Sequence, residues 1–258
     1  MIPSLALIVA LFGLFIGSFL NVCIYRIPRG ESVVWPSSRC PACSTPIRAW
    51  DNVPVLSYLV LGGRCRACGH PISVRYPLVE LLSALLAVGM LYRFGPGPAF
   101  VIYYAWSCVL VVITFIDIDH RIIPDRFSLG GMAAGIALVP FMPISYTDAL
   151  AGLALGGGLL IAVIYAYYLL TKREGMGGGD VKLLAMIGVY TGWKGVLFTI
   201  FAASLAGTAF GIPWALSRRE GGSAMKAAVP FGPFLALGAL VYVFFGDRII
   251  EWYFGFLA

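Results

Sequence analysis

Two aspartates at the ends of apolar segments could together carry out hydrolytic chemistry. Asp117 directly follows a charge-free run over 94–116, and Asp180 follows a glycine-rich stretch over 175–179. Acidic side chains at the edge of a membrane span are costly to bury, so they are candidates for function. Two facing carboxylates hold one proton between them, so the ionised partner can deprotonate water while the protonated partner polarises a peptide carbonyl. Such a pair is typical of aspartyl peptide hydrolysis.

Three aspartates compete for the first position of this pair. Asp117 adjoins the apolar run and is favoured because it can point into a helix bundle. Asp119 lies beyond the run, next to His120 and Arg121, and is expected to be solvated, although it remains the alternative. Asp125 follows a proline and precedes the next apolar run, which is the position of a helix N-cap.

Three glycines before Asp180 are predicted to form a substrate loop. Gly177, Gly178 and Gly179 lack Cβ atoms, so the backbone there can approach a substrate closely. Asp180 would lie near a helix N-terminus, where the helix dipole favours the ionised form. A phosphate-binding glycine loop is disfavoured because no strand precedes it. An ordinary helix break with a capping aspartate remains the second alternative.

Four cysteines form two CxxC pairs in the segment 26–75, namely Cys40 with Cys43 and Cys65 with Cys68. Two such pairs at this separation are typical of a tetrahedral zinc site. We expect the zinc to be structural, because a segment of this size has too small a core to fold unaided. Two disulfides are the alternative, which a reducing cytosol would disfavour.

The composition indicates that the elements positioning these residues are membrane helices. Of 258 residues, 60% are apolar and 12% charged, and the mean hydropathy is +0.91, whereas soluble domains carry about 25% charged residues. Six charge-free runs are long enough to cross a bilayer, and two weaker candidates bring the predicted number of spans to eight. The six runs are 1–25, 94–116, 127–147, 149–171, 195–217 and 227–246, and the weaker candidates are 76–92 and 183–193.

The distribution of basic residues predicts the orientation. With eight spans and both termini outside, fifteen of the eighteen Lys and Arg residues fall in cytosolic segments, and only Arg93, Lys194 and Arg248 remain outside. The cysteine segment and both acids would then lie on the cytosolic side. The first run lacks a preceding basic segment and is predicted to be an uncleaved anchor. Membrane threading explains the net charge of +6, so no nucleic-acid partner is expected, and the lipid bilayer is the expected environment.

A series of motifs, taken together and in order, resembles one family. They are Gly17-Ser-Phe-Leu-Asn21 with Arg26 and Pro28, the two cysteine pairs, Asn52-Val-Pro54, Ser57-Tyr58, Arg75-Tyr-Pro-Leu-Val-Glu80, Asp117 with Ile123-Pro-Asp125, Gly-Gly-Gly-Asp-Val-Lys at 177–182, and Pro-Phe-Gly-Pro at 230–233. In this combination the chain resembles the type IV prepilin peptidases, the GxGD-type membrane aspartyl proteases of pilus and type II secretion systems.

The resemblance implies a function and a localisation. Asp117 and Asp180 would be the catalytic acids of a bacterial inner-membrane endopeptidase that cleaves the leader of a prepilin or pseudopilin on the cytosolic face. Family members with a four-cysteine segment commonly also methylate the new N-terminus with S-adenosylmethionine, so a bifunctional enzyme is expected. The predicted fold is all-α, with a first span over 1–25, a zinc-ribbon-like domain over 26–75 and a peptidase core over 76–258.

Two other classes of function remain to be compared. A transporter could use the two acids as a proton or cation relay, but such acids are expected near the bilayer midplane rather than at one membrane face. A non-enzymatic component of a secretion machine could use the four-cysteine domain for docking. Cleavage of a prepilin by the purified protein would separate the enzyme from both.

Overall fold

The described part of the chain folds into helices, and one long loop carries the four cysteines. The computed structural model describes residues 2–172, 177–217 and 230–257, and within these ranges it has no β-strand. The α-helices are α1 (Ile2–Arg26), α2 (Leu56–Val60), α3 (Arg75–Phe94), α4 (Pro98–His120), α5 (Asp125–Leu138), α6 (Tyr146–Thr171), α7 (Gly178–Ser217) and α8 (Gly232–Leu257). The predicted all-α fold, with the four-cysteine cluster between early helices, is confirmed.

The number of long apolar helices is smaller than the eight spans predicted. In the described part of the chain, five helices are long and apolar enough to cross a membrane, namely α1, α3, α4, α6 and α7. Helix α5 has 14 residues and is about 21 Å long, which is shorter than a hydrocarbon core of about 30 Å. The predicted span 227–246 lies partly outside the described residues, and its described apolar helix is Gly232–Gly246.

Helix α7 accounts for a further part of the difference. The spans predicted at 183–193 and 195–217 belong to this one element of 40 residues, which is interrupted only at Gly192. Gly192 has φ 69° and ψ −178°, a conformation that is essentially restricted to glycine. The helical backbone is thus broken at Gly192, two residues before Lys194, where the sequence places the boundary between these two spans.

The first of two compact units, Met1–Val112, is built on the packing of α1 against α3. Two glycines of α1 allow the close approach. A Cβ at Gly13 would lie 2.7 Å from the Cα of Ala84, and a Cβ at Gly17 would lie 2.5 Å from the Cα of Glu80. Small residues at helix interfaces are typical of membrane proteins, where close van der Waals packing stabilises association.

The second unit, Ile113–Ala258, is built on α6 and α8 packed against α7. The first turns of α7 contribute fully buried side chains, among them Leu183, Leu184 and Ile187. Backbones of α6 and α7 touch at Gly152 and Gly188, where a Cβ on either residue would overlap the carbonyl oxygen of the other. This contact fixes the first half of α7, which begins next to the predicted acid Asp180.

Substituting Gly188→Ala is expected to lower the free energy of unfolding by about 3 kcal/mol, at the upper end of typical overpacking costs, because a backbone carbonyl cannot rotate away. Thermal unfolding in detergent measures the effect. The matched control is Gly158→Ala on α6, where a Cβ would meet nothing within 4 Å. A lower Tm for both variants, or for neither, would contradict the backbone contact.

Candidate active site and metal centre

Asp117 occupies a buried position in the last turn of α4. Its side chain is only 6% exposed, and its Oδ2 accepts a hydrogen bond of 3.1 Å from the backbone N–H of Gly232. Gly232 is the first residue of α8, so this donor is one of the N–H groups that a helix leaves without an internal partner. The start of α8 therefore fixes one carboxylate oxygen of Asp117.

Asp180 reaches the same place from the first turn of α7. Its backbone N–H donates to the carbonyl oxygen of Gly177 at 3.3 Å. Asp117, Asp180, Gly177 and Gly179 line one cavity of about 270 Å³. The structure thus brings together the two acids that the sequence singled out, although they lie on different helices.

The other two aspartates of the first cluster behave differently. Asp119 is exposed and is not among the residues that line the cavity. Asp125 lines it, but the interpretation of Asp125 as an N-cap is wrong, because α5 begins at this residue and no side chain caps it. The carboxylate instead contacts the amine of Lys182 at 2.7 and 2.9 Å. Lys182 therefore balances a third negative charge beside the two acids.

The three predicted loop glycines divide into two groups. Gly177 and Gly179 line the cavity, whereas Gly178 does not. A Cβ at Gly179 would lie 3.1 Å from the Cβ of Ile123, another cavity residue, so a side chain there would crowd Ile123. Gly175 and Met176, which were part of the same sequence cluster, lie outside the described residues.

Replacing Gly232 with alanine is expected to displace the Asp117 carboxylate. The added Cβ would lie 2.6 Å from Oδ2, and small misplacements of reacting groups cost about 10²-fold in rate. We therefore expect hydrolysis by the acid pair to have a kcat/KM about 10²-fold lower in Gly232→Ala. Gly255→Ala on the same helix is the control, since a Cβ there meets nothing within 4 Å. An unchanged rate for Gly232→Ala would show that this contact does not position the acid.

The four predicted ligand cysteines form one cluster. The Sγ atoms of Cys40, Cys43, Cys65 and Cys68 all lie within 4.8 Å of one another, and those of Cys40 and Cys68 are 3.8 Å apart. A tetrahedral site with metal–sulfur bonds of about 2.3 Å requires sulfurs about 3.8 Å apart. The cluster could therefore hold a metal ion.

Local hydrogen bonds favour the thiolate form of two of these cysteines, which is the form that binds metals. The hydrogen bond between Cys43 and the Thr45 hydroxyl lowers the pKa of Cys43 to about 6. Backbone N–H groups of Cys68 and Ala67 lower the pKa of Cys65.

An ion pair tightens the fold around the four-cysteine cluster. The guanidinium of Arg66, inside the second CxxC pair, binds the Asp51 carboxylate through Nε at 3.0 and 3.1 Å and through Nη2 at 2.7 Å. Hydrogen bonding and charge from Arg66 hold the pKa of Asp51 below its usual range. The pair links the loop between the two cysteine pairs to the second pair itself.

A set of apolar membrane-length helices with paired acids and a four-cysteine cluster defines a class of polytopic membrane protein. Family models identify that class more closely. The model described as the bacterial peptidase A24 N-terminal domain matches residues 11–94, and the type IV leader peptidase family model matches residues 102–212.

Full-length relatives agree with the family models. The chain is 39% identical to a prepilin leader peptidase/N-methyltransferase of Aeromonas hydrophila, with 95% of this chain and 92% of the relative covered. It is 36% identical to a protein of the same name from Pseudomonas aeruginosa, with the same coverage. No solved structure matches the chain. The chain belongs to the type IV leader peptidase family.

Several residues at these sites were missed by sequence reasoning. The Gly232 N–H was not singled out, although the Pro-Phe-Gly-Pro motif around it was noted. The pairing of Lys182 with Asp125 was also not predicted. In each case the partner lies in a distant part of the sequence, so local patterns carry no signal for it.

Proposed function

We propose that the chain is a membrane aspartyl endopeptidase that removes the leader of type IV prepilins or pseudopilins and then methylates the new N-terminal amine. The observation that carries the peptidase is the shared cavity of Asp117 and Asp180. The methyl transfer is supported by the family and by relatives named prepilin leader peptidase/N-methyltransferase.

The acid pair supplies the chemistry of hydrolysis. One carboxylate takes a proton from a water molecule, whose oxygen attacks the scissile carbonyl carbon, while the protonated partner donates to the carbonyl oxygen. When the tetrahedral intermediate collapses, the C–N bond breaks and the leaving amine takes up a proton. The Gly232 N–H donates a hydrogen bond to Oδ2 of Asp117. This bond orients the carboxyl group and leaves Oδ1 free to exchange a proton with water or substrate.

The glycines beside the cavity suit an extended substrate. Gly177 and Gly179 line the same space as the two acids, and their lack of side chains leaves backbone groups open to a peptide. We assign this segment to binding the residues around the scissile bond.

The four-cysteine cluster is the proposed zinc site. Four thiolates at tetrahedral spacing are the ligand set that structural zinc prefers, and the ion would hold together a loop that has few buried side chains. S-adenosylmethionine is the proposed methyl donor.

The basic residues support a cytosolic position for the cysteine loop and both acids. A reporter fused after Arg121, at the end of α4, is expected to give a cytosolic signal. A reporter fused after Arg93, at the end of α3, is expected to give a signal from the outer face. Alkaline phosphatase and fluorescent protein fusions measure the two sides. Reversed signals would contradict the proposed orientation of the active site.

Incubation of the purified chain with a prepilin in detergent tests the function. Mass spectrometry is expected to show a free leader peptide and, after addition of S-adenosylmethionine, mature pilin heavier by one methyl group. Absence of cleavage would contradict the peptidase, and cleavage without methylation would restrict the function to proteolysis.

A further inference from the structure

The short helix α2 exposes its apolar side chains and buries a polar one. Leu56, Leu59 and Val60 are 59%, 67% and 73% exposed. Ser57, in contrast, is only 8% exposed, and its hydroxyl donates a hydrogen bond of 2.9 Å to the carbonyl oxygen of Trp50. A helix on a water-facing surface typically has the opposite arrangement, with apolar side chains inward and polar ones outward. The exposed side of α2 is therefore suited to an apolar environment.

A hydrogen bond ties α2 to the first turns of α3. The backbone N–H of Val55, the residue before α2, donates to Oε2 of Glu80 at 2.7 Å. Glu80 is five residues after Arg75, the first residue of α3, which is about 8 Å along the helix axis. The polar layer on each side of a bilayer is about 5–8 Å thick. Since α3 is long and apolar enough to cross a membrane, α2 lies at the depth where this helix enters the bilayer.

A second exposed apolar segment is held at the end of α1. Val34 and Trp35 are 83% and 76% exposed. The guanidinium of Arg26, the last residue of α1, donates to the carbonyl oxygens of Ser32 at 2.8 Å and Pro36 at 2.7 Å, on either side of this segment. Helix α1 is also long and apolar enough to cross a membrane. Both exposed apolar segments are thus fixed beside an end of a membrane-length helix.

The segment 26–75, which carries the four cysteines, also matches a layer of lipid headgroups. It contains seven arginines and only two acidic residues. Trp50 is 64% exposed, and the Arg48 guanidinium lies over its ring, 5.6 Å from the ring centroid. Tryptophan is enriched at membrane–water interfaces, and basic residues at a membrane surface are attracted to anionic lipids. The charge of this segment therefore complements an anionic leaflet.

We propose that the four-cysteine segment is seated on the surface of the same bilayer that α1 and α3 cross, with its apolar residues 34–35 and 56–60 inserted among the lipid headgroups. Amphipathic segments at an interface bury their apolar side about 5–10 Å into the boundary between headgroups and acyl chains. The contact extends the lipid-facing surface of the two helices. It concerns how the segment is held, and it does not depend on the proposed peptidase or methyl transfer.

Photo-crosslinking of the full chain in phospholipid vesicles tests the proposal. The photoreactive amino acid p-benzoylphenylalanine replaces Leu59 in one variant. In the matched control it replaces Tyr58, which is half-buried on the same helix. A third variant carries it in place of Leu81, an exposed residue of α3 that reports contact with lipid. Mass spectrometry is expected to find phospholipid adducts at positions 59 and 81 and to show their loss at position 58.

The other outcomes would contradict the membrane contact. Adducts to a second copy of the chain at position 59 would make this surface a protein interface and overturn the proposal. Absence of lipid adducts at position 59, with adducts present at position 81, would show that α2 faces water. Equal lipid labelling at positions 58 and 59 would show that α2 has no lipid-facing side, which would also overturn it.

The lipid composition of the adducts tests the contribution of charge. In vesicles of phosphatidylglycerol and phosphatidylethanolamine, the adducts at position 59 are expected to be enriched in phosphatidylglycerol, which is anionic. Arg48→Gln is expected to lower this enrichment by up to about fivefold, because each basic residue near the surface adds to the attraction. An unchanged lipid ratio in this variant would overturn the role of Arg48.

Discussion

Prepilin cleavage is expected to fall by about 10³-fold or more when either Asp117 or Asp180 is replaced by asparagine. An asparagine cannot exchange a proton, so each variant leaves a single carboxylate that can act as base or as acid but not as both. The two acids line the same cavity, and the losses are therefore expected to be of similar size. Single-turnover cleavage of a prepilin, followed by mass spectrometry, measures them.

The neighbouring aspartate provides a matched control for this loss. Asp119 is two residues from Asp117, but it is exposed and outside the cavity. Asp119→Asn is therefore expected to cleave at close to the normal rate. Loss of cleavage in Asp119→Asn with activity retained in Asp117→Asn would transfer the catalytic role to Asp119 and contradict the assignment.

Replacing Cys40 with serine is expected to abolish binding of the proposed zinc ion. Cys40 is buried, and its Sγ lies 3.8 Å from that of Cys68. Zinc binding by a site of four cysteines contributes on the order of 10 kcal/mol to folding. We expect metal analysis to fall from about one ion per chain to nearly none, and methylation of pilin to be lost with the folded loop.

A cysteine outside the cluster controls for the loss of a thiol. Cys23 is buried in α1 and is not a member of the cluster, so Cys23→Ala is expected to keep its metal and its methylation activity. Full metal content in Cys40→Ser would contradict the four-cysteine site. Thiol titration of the unfolded chain that finds disulfides among these cysteines would favour the alternative that the sequence left open.

Local sequence patterns indicated the two acids and the four cysteines that the structure brings together. The end of a charge-free run indicated Asp117, the glycine-rich stretch 175–179 indicated Asp180, and the spacing of the CxxC pairs indicated the cysteine cluster. Each of these patterns consists of residues that are close in the sequence. They can therefore be recognised without knowing how the helices pack against one another. The long apolar helices could also be predicted, because the apolar composition of a segment is a local property of the sequence.

Contacts between distant segments were beyond the reach of such patterns. The hydrogen bond from Gly232 to Asp117 and the pairing of Lys182 with Asp125 depend on how helices pack. The Glu80 carboxylate likewise accepts a hydrogen bond from the backbone N–H of Val55, which lies 25 residues earlier in the chain. A side chain's partner is decided by the tertiary fold, which charge and hydropathy along the chain do not specify.

The span count shows a different limit. A charge-free run identifies a segment that can be buried in lipid. It does not identify the residues at which the helix begins and ends. The run 127–147 contains Pro140, and α5 stops at Leu138 before it, because proline lacks the N–H that a continuing helix needs.

The position of the scissile bond relative to the two acids is the most direct measure of the central claim. It can be determined in a structure of the chain bound to a prepilin peptide whose scissile amide is replaced by an uncleavable isostere. We predict that the isostere lies between Asp117 and Asp180, with carboxylate oxygens of the two residues within about 5.5 Å, so that one water can hydrogen-bond both. A peptide bound with its scissile position away from this cavity, or carboxylates too far apart to share a water, would contradict the account.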